Sequence, residues 1–188
     1  MAVTRVVDWL RAASKKMGQE YMKLPVANSD PQYRERVYCY ELYHHLRNEW
    51  TRSFPFSLCG EIDKRNHAYV HGKHLTNIKP DLLIHQLGWM DSFSNLLAIE
   101  VKAANAKYED IRIDLRKLTA LRQGLRGYRG KRANYNYAFF WIYDLCVDAW
   151  PDLRSKVFRK RQRDIDRRLI RCFIHERPGK SAIEVFWE

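Results

Sequence analysis

Pro80-Asp81-Leu82-Leu83-Ile84-His85-Gln86-Leu87 and, after the turn Gly88-Trp89-Met90-Asp91-Ser92-Phe93-Ser94-Asn95, Leu96-Leu97-Ala98-Ile99-Glu100-Val101-Lys102 form the stretch on which the fold turns. Two short apolar runs bounded by polar residues have the pattern of buried strands. A glycine-initiated turn of eight residues joins them most economically as an antiparallel hairpin. Symmetric pairing about a turn centred between Met90 and Asp91 then sets Asp81 opposite Glu100, in a register that a β-bulge would slip. Opposed residues have Cβ atoms about 4.5–5.5 Å apart, and like charges there are destabilising. One carboxyl must then rise in pKa, or a cation must sit between the two. Lys102, two residues past Glu100, shares its face of the strand. A carboxylate pair with an ammonium beside it suits phosphodiester hydrolysis. Mg²⁺ favours such oxygen ligands and lowers the pKa of a bound water, while the lysine orients that water or meets the developing charge. The plainer reading of the same residues is a surface hairpin ending in a Glu/Lys pair.

Working outward, segment 56–63 reads as a strand and completes a three-strand antiparallel meander. Helical periodicity marks 4–23 (Val6, Leu10, Ala13, Met17, Tyr21), 32–50 and 108–125 (Ile111, Leu115, Leu118, Leu121, Leu125). Pro25 and Pro31 bracket a short linker between the first two helices. Segment 135–144 is a strand dense in aromatics, and Pro151 opens a basic helix expected to run to about Asp166. The end of the chain reads as a hairpin about Pro178-Gly179. The expected order is α-α-β-β-β-α-β-α-β-β: a mixed α/β (α+β) domain with a central mixed sheet, all within residues 1–188.

The 188 residues carry 34 Lys and Arg against 22 Asp and Glu, a net charge of +12. The excess is uneven, +2 over residues 1–100 and +10 over 101–188. A basic second half on a chain with 46% hydrophobic residues excludes disordered and coiled-coil classes and points to a polyanion, nucleic acid before membrane. Cys39, Cys59, Cys146 and Cys172 are scattered without disulfide-scaffold or zinc spacing. The opening residues lack an apolar run long enough for a signal peptide, so a cytoplasmic location with reduced thiols is expected.

Pro80-Asp81, eighteen intervening residues and Glu100-Val101-Lys102 together resemble the PD-(D/E)xK nuclease superfamily, of restriction-endonuclease-like fold. The resemblance spans about residues 32–144, with the helix at 4–23 and the segment 151–188 as additions. It implies that Asp81 and Glu100 bind Mg²⁺, with Mn²⁺ as a substitute, that the backbone carbonyl of Val101 joins them, and that Lys102 is catalytic. It also implies an acidic residue on the helix before the meander, where Glu41 is the matching position. Glu41 stands at the edge of that helix's apolar stripe, where a carboxylate is normally paired or functional. A salt bridge to Arg36, Arg47 or Lys102 is the alternative, and Glu61 and Asp63 are fallback carboxylates. The helix after Glu-x-Lys leans over the site in several subfamilies, which makes Lys117 and Gln123 candidates for phosphate contact.

Two basic clusters frame the expected substrate track: one runs from Arg112 through Arg116, Lys117 and Arg122 to Arg126, Arg129, Lys131 and Arg132 in a Gly-rich loop, and the other from Arg154 to Arg171 with Arg159, Lys160 and Arg163. Such groups bind phosphates with steep salt dependence. No base-reading module is present, so sequence readout is not expected. His67, His71 and His74 lack zinc-ligand partners at the usual spacing, and His85 shares the Asp81 face by alternation. The expected activity is Mg²⁺-dependent endonucleolytic cleavage of double-stranded DNA, for which a homodimer would supply two cutting sites. The rivals are an idle binding module that keeps the fold, and an RNA- or junction-specific nuclease.

Overall fold

Val3, Val6, Val7, Leu10 and Ala13 repeat at helical spacing and are buried along one face of α1 (Ala2–Lys15). This is a computed structural model in which residues 2–61, 74–75, 78–89, 91–125, 132–159 and 162–188 are described. The helix expected over 4–23 is broken: Gly18 is extended, and a single turn, α2 (Gln19–Met22), follows. The break lets both Met17 and Met22 enter the core. The segment expected as a linker forms a small antiparallel ribbon, β1 (Leu24–Val26) and β2 (Ser29–Gln32). Asn28 supplies its left-handed turn residue, a conformation asparagine tolerates better than most. Then α3 (Glu35–Glu49) buries Tyr38, Cys39, Leu42 and Leu46.

The following strands β3 (Ser57–Gly60), β4 (Leu82–His85) and β5 (Asn95–Ala103) form an antiparallel meander. The β4–β5 ladder pairs Leu82 with Ile99, Leu83 with Ala98 and Ile84 with Leu97, then shifts between Ile84 and His85. The bulge therefore falls at the turn end, and the ladder extended one step past Leu82 sets Asp81 against Glu100. The helix α4 (Tyr108–Gln123) carries the chain back so that β6 (Tyr137–Tyr143) runs parallel to β5. A 3-10 turn leads into α5 (Trp150–Val157), which has proline at its start. It stops about two turns short of the helix expected to reach Asp166. The last strands are β7 (Ile170–His175), parallel to β6, and β8 (Ile183–Val185), antiparallel to β7. Gly179 takes a positive φ in the turn between them.

The result is one mixed six-stranded sheet in the order β3-β4-β5-β6-β7-β8. Leu97, Ile99 and Val101 of β5 pack with α1 and α3, whereas Ala98 packs with α4 and α5 on the opposite face. Six of the seven β6 residues are buried, as expected of a parallel strand covered on both sides. Among the described residues no helix is long and apolar enough to cross a membrane.

Candidate functional site

Alternation along β5 turns Glu100 and Lys102 toward the Ala98 face, under α4. Asp81, immediately before β4, is tied to the same place: the Val101 N–H donates to Asp81 Oδ2 at 2.7 Å. The Asp81 and Glu100 carboxyls lie near enough for each to act on the other's ionisation. Burial pushes the Asp81 pKa up to about 6, against the pull of that Val101 N–H and of the Lys102 charge. Glu100 is 2% exposed. Its own pKa is pushed well above the usual carboxylate range by burial, then by the charges of Asp114 and Asp81. Its Oε1 is buried without a hydrogen-bond partner. The conflict between opposed acids is thus present in the molecule, and it favours a shared proton or a bound cation.

Lys102 lies between two further carboxylates. Its Nζ is 2.9 Å from Glu35 Oε2 and 2.8 Å from Asp114 Oδ2, and donates to the Val101 carbonyl at 3.3 Å. Burial works against the ammonium, but Asp114 and Glu35 outweigh it and hold its pKa above the ordinary lysine value. Asp114, on the buried face of α4, also pairs with Lys117 at 2.7 Å. Burial likewise opposes the Lys117 charge, and Glu100 and Asp114 raise its pKa overall. The sheet end therefore gathers Asp81, Glu100, Lys102, Asp114, Lys117 and Glu35.

Glu41 does not join them. It faces His45 one turn along α3, 3.1 Å from its Nε2, and the α3 carboxylate at the site is Glu35. Glu35 lies in the first turn of α3, and its Oε1 also accepts from the Ala103 N–H at 3.3 Å. Helix period and the family resemblance both point to Glu41, at the edge of the apolar stripe. A carboxylate in a helix's first turn, favoured there by the helix dipole, was the signal that could have found Glu35. Glu61 is held by Arg36 and Lys79 at 2.8 and 3.1 Å, and Asp63 lies outside the described residues.

The remaining candidates are dispersed. Gln123, about 14 Å of helix rise beyond Asp114, donates weakly to Asp166 at 3.4 Å. With Arg163 it borders a cleft of about 460 Å³ beside His74 and Asp164. Arg132 and Arg159 are exposed, whereas Arg126, Arg129, Lys131 and Lys160, like His67 and His71, lie outside the described residues. Several arginines of the basic half turn inward as staples: Arg112 donates to the Val157 and Lys156 carbonyls, and Arg122 to those of Tyr135 and Leu169.

Among the described residues no group of three or more His, Cys, Asp and Glu is arranged as a ready metal site. Mg²⁺ is commonly held by one or two carboxylates, with water and substrate phosphate completing the shell. The hard oxygen pair of Asp81 and Glu100, with Glu100 Oε1 lacking a partner, fits that limited demand. No protein-family model, curated protein or solved structure matches the chain.

Proposed function

We propose that the protein is a Mg²⁺-dependent nuclease with a restriction-endonuclease-like core, hydrolysing phosphodiester bonds of DNA at the end of β4 and β5. The observation that carries this reading is the Val101 N–H bond to Asp81, which brings the two acids together beside Lys102. The order α3, β3, β4, β5, α4, β6, with an antiparallel meander and then a parallel strand, supports it.

Asp81 and Glu100, with the carbonyl of Val101, would hold the metal, which when bound supplies Lewis acidity and a water of lowered pKa. The protein's own contribution is to present two carboxylates in a buried setting, where a cation gains most from them. Lys102 brings a fixed positive charge toward the phosphate and the attacking water, on a stem only 14% exposed. Asp114 and Glu35 position its ammonium by bonding it from two sides, and Lys117 is a second cation on the same wall.

A second reading, a nucleic-acid-binding module without cleavage, is favoured by one observation: Lys102 is engaged by Glu35 and Asp114. Incubation with supercoiled plasmid separates the two. The nuclease reading expects nicking or linearisation in Mg²⁺ that EDTA stops and that Asp81→Ala, Glu100→Ala and Lys102→Ala each abolish in folded protein. Equal cleavage by all four proteins, or none by the wild type, would sink it.

A further inference from the structure

Beside Asp81, on the side away from α4, lies a cleft of about 260 Å³ between α3 and the β3–β4 end of the sheet. Tyr40 and Tyr43 form its helical wall, and Gly60 with Leu82 its sheet wall. That volume is below the ~300–1,000 Å³ of clefts that enclose drug-sized ligands, and suits one planar ring system. The two tyrosines differ in state. Tyr43 is fixed, its hydroxyl donating to the Leu58 carbonyl at 3.3 Å. Tyr40 is 60% exposed, although its neighbour Tyr38 is fully buried in the core. An aromatic ring left standing in water at the rim of a cleft is a surface awaiting a flat partner.

Gly60 keeps the space open. A Cβ there would lie 3.9 Å from both the Asp81 carbonyl and the Tyr43 ring, so a small side chain fits but a long one would enter the cleft. Two cations stand near the rim: Arg36, one turn before Tyr40, and Lys79 both pair with Glu61, which with Asp81 borders the cleft. Arg36, Tyr40, Tyr43 and Arg47 recur at i, i+4, i+7 and i+11, one stripe of α3. Rings interleaved with guanidinium groups are the arrangement that holds single-stranded nucleic acid, by stacking on bases and attraction to phosphates.

We propose that this cleft seats an unpaired nucleobase of the strand being cut, stacked on Tyr40, next to the phosphate held at Asp81 and Glu100. The proposal rests on the nuclease reading for its adjacent phosphate, and it narrows the substrate. A base inside a duplex cannot enter without leaving its stack, at a cost that is least for single-stranded or mispaired nucleotides. Single-stranded or unpaired DNA is therefore preferred over the fully paired duplex.

The test is binding in EDTA, without cleavage, by fluorescence anisotropy. The probes are a fluorescein-labelled single-stranded deoxyoligonucleotide, the same strand made abasic, and its fully paired duplex. Tyr40→Ala is expected to weaken binding of the base-carrying strand by about tenfold, the loss of one stacking contact, and Tyr40→Phe to bind within about twofold of wild type. Gly60→Leu, with an unchanged circular dichroism spectrum, should reproduce the Tyr40→Ala loss, and the abasic strand should not distinguish the variants. Unchanged affinity in Tyr40→Ala, an equal loss on the abasic strand, no binding by the wild type, or equal affinity for duplex and single strand overturns the proposal. Tyr40 dependence without cleavage in Mg²⁺ would leave the subsite standing and remove the nuclease reading, and cleavage without Tyr40 dependence would do the reverse.

Discussion

Asp81 and Val101 are joined by a 2.7 Å hydrogen bond from the backbone N–H of one to the carboxylate of the other. The bond anchors the first acid to the residue that separates the second acid, Glu100, from Lys102. It lowers the Asp81 pKa, but burial wins and leaves it at about 6. A carboxyl raised in the folded state contributes stability that is fully present below the unfolded value, here 3.8, and lost as pH rises through about 6. At neutral pH the site is thus a local liability of the kind that functional clusters carry.

Asp81→Asn keeps the acceptor for Val101 and removes that ionisation. At pH 7.5 the variant is expected to be more stable than wild type by about 1–3 kcal/mol, or a Tm gain of about 2–12 °C. The gain should shrink to nothing near pH 4, while cleavage is lost. Thermal melts across pH 4–8 check this, and a variant less stable than wild type at pH 7.5 contradicts it.

Lys102 and Asp114 form the second buried relationship. The Asp114 side chain is 4% exposed and holds both Lys102 and Lys117. Asp114→Ala leaves two partly buried ammonium groups short of a partner, and is expected to cost about 3–5 kcal/mol in urea unfolding. Glu35, at 37% exposure, is nearer the surface, so Glu35→Gln should cost about 1 kcal/mol or less. A double-mutant cycle of Lys102→Met with Asp114→Asn should show a coupling above about 1 kcal/mol, and additivity would mean that the two do not interact.

The position of the acidic pair was legible because side-chain alternation and turn length set the hairpin register, and the bulge fell between Ile84 and His85, away from Asp81. The order of strands and helices from α3 onward was legible from hydrophobic period. Glu35 was not, because a three-dimensional junction of the α3 start with the end of β5 leaves no periodic trace. The ribbon of β1 and β2 was hidden by Pro25 and Pro31, which the sequence offers as breakers but which a two-stranded edge tolerates. Charge counts cannot tell an arginine that faces solvent from one, such as Arg122, spent on backbone carbonyls.

Divalent cation should act on stability as well as on cleavage. A metal that binds the folded state alone stabilises it by about 2.7 kcal/mol at a hundred times its Kd. Binding requires the carboxylates deprotonated, and both are raised. The Mg²⁺-induced rise in Tm is therefore expected to be larger at pH 7.5 than at pH 5, and absent from the Asp81→Asn/Glu100→Gln double variant. Differential scanning fluorimetry over a Mg²⁺ series measures this, and an equal rise in the double variant would place the metal elsewhere.

The arginines divide into staples and contacts, and salt dependence separates them. Arg122 donates to the Tyr135 carbonyl at 2.6 Å and the Leu169 carbonyl at 3.3 Å, joining α4 to the segments that lead into β6 and β7. Burial lowers its pKa, as befits a guanidinium held inside the structure. Arg122→Ala leaves these carbonyls to find water and is expected to cost about 1–3 kcal/mol in stability. It should leave the dependence of nucleic-acid affinity on log[salt] unchanged. Arg132, Arg159 and Arg163 are exposed, so alanine there should scarcely touch stability. Each that contacts a phosphate reduces the slope by about 0.7–0.9, according to strand number. Anisotropy titrations between low and moderate salt, run beside urea melts, distinguish the two groups. A slope that falls for Arg122→Ala and stays fixed for all three exposed variants would move the phosphate track off this surface.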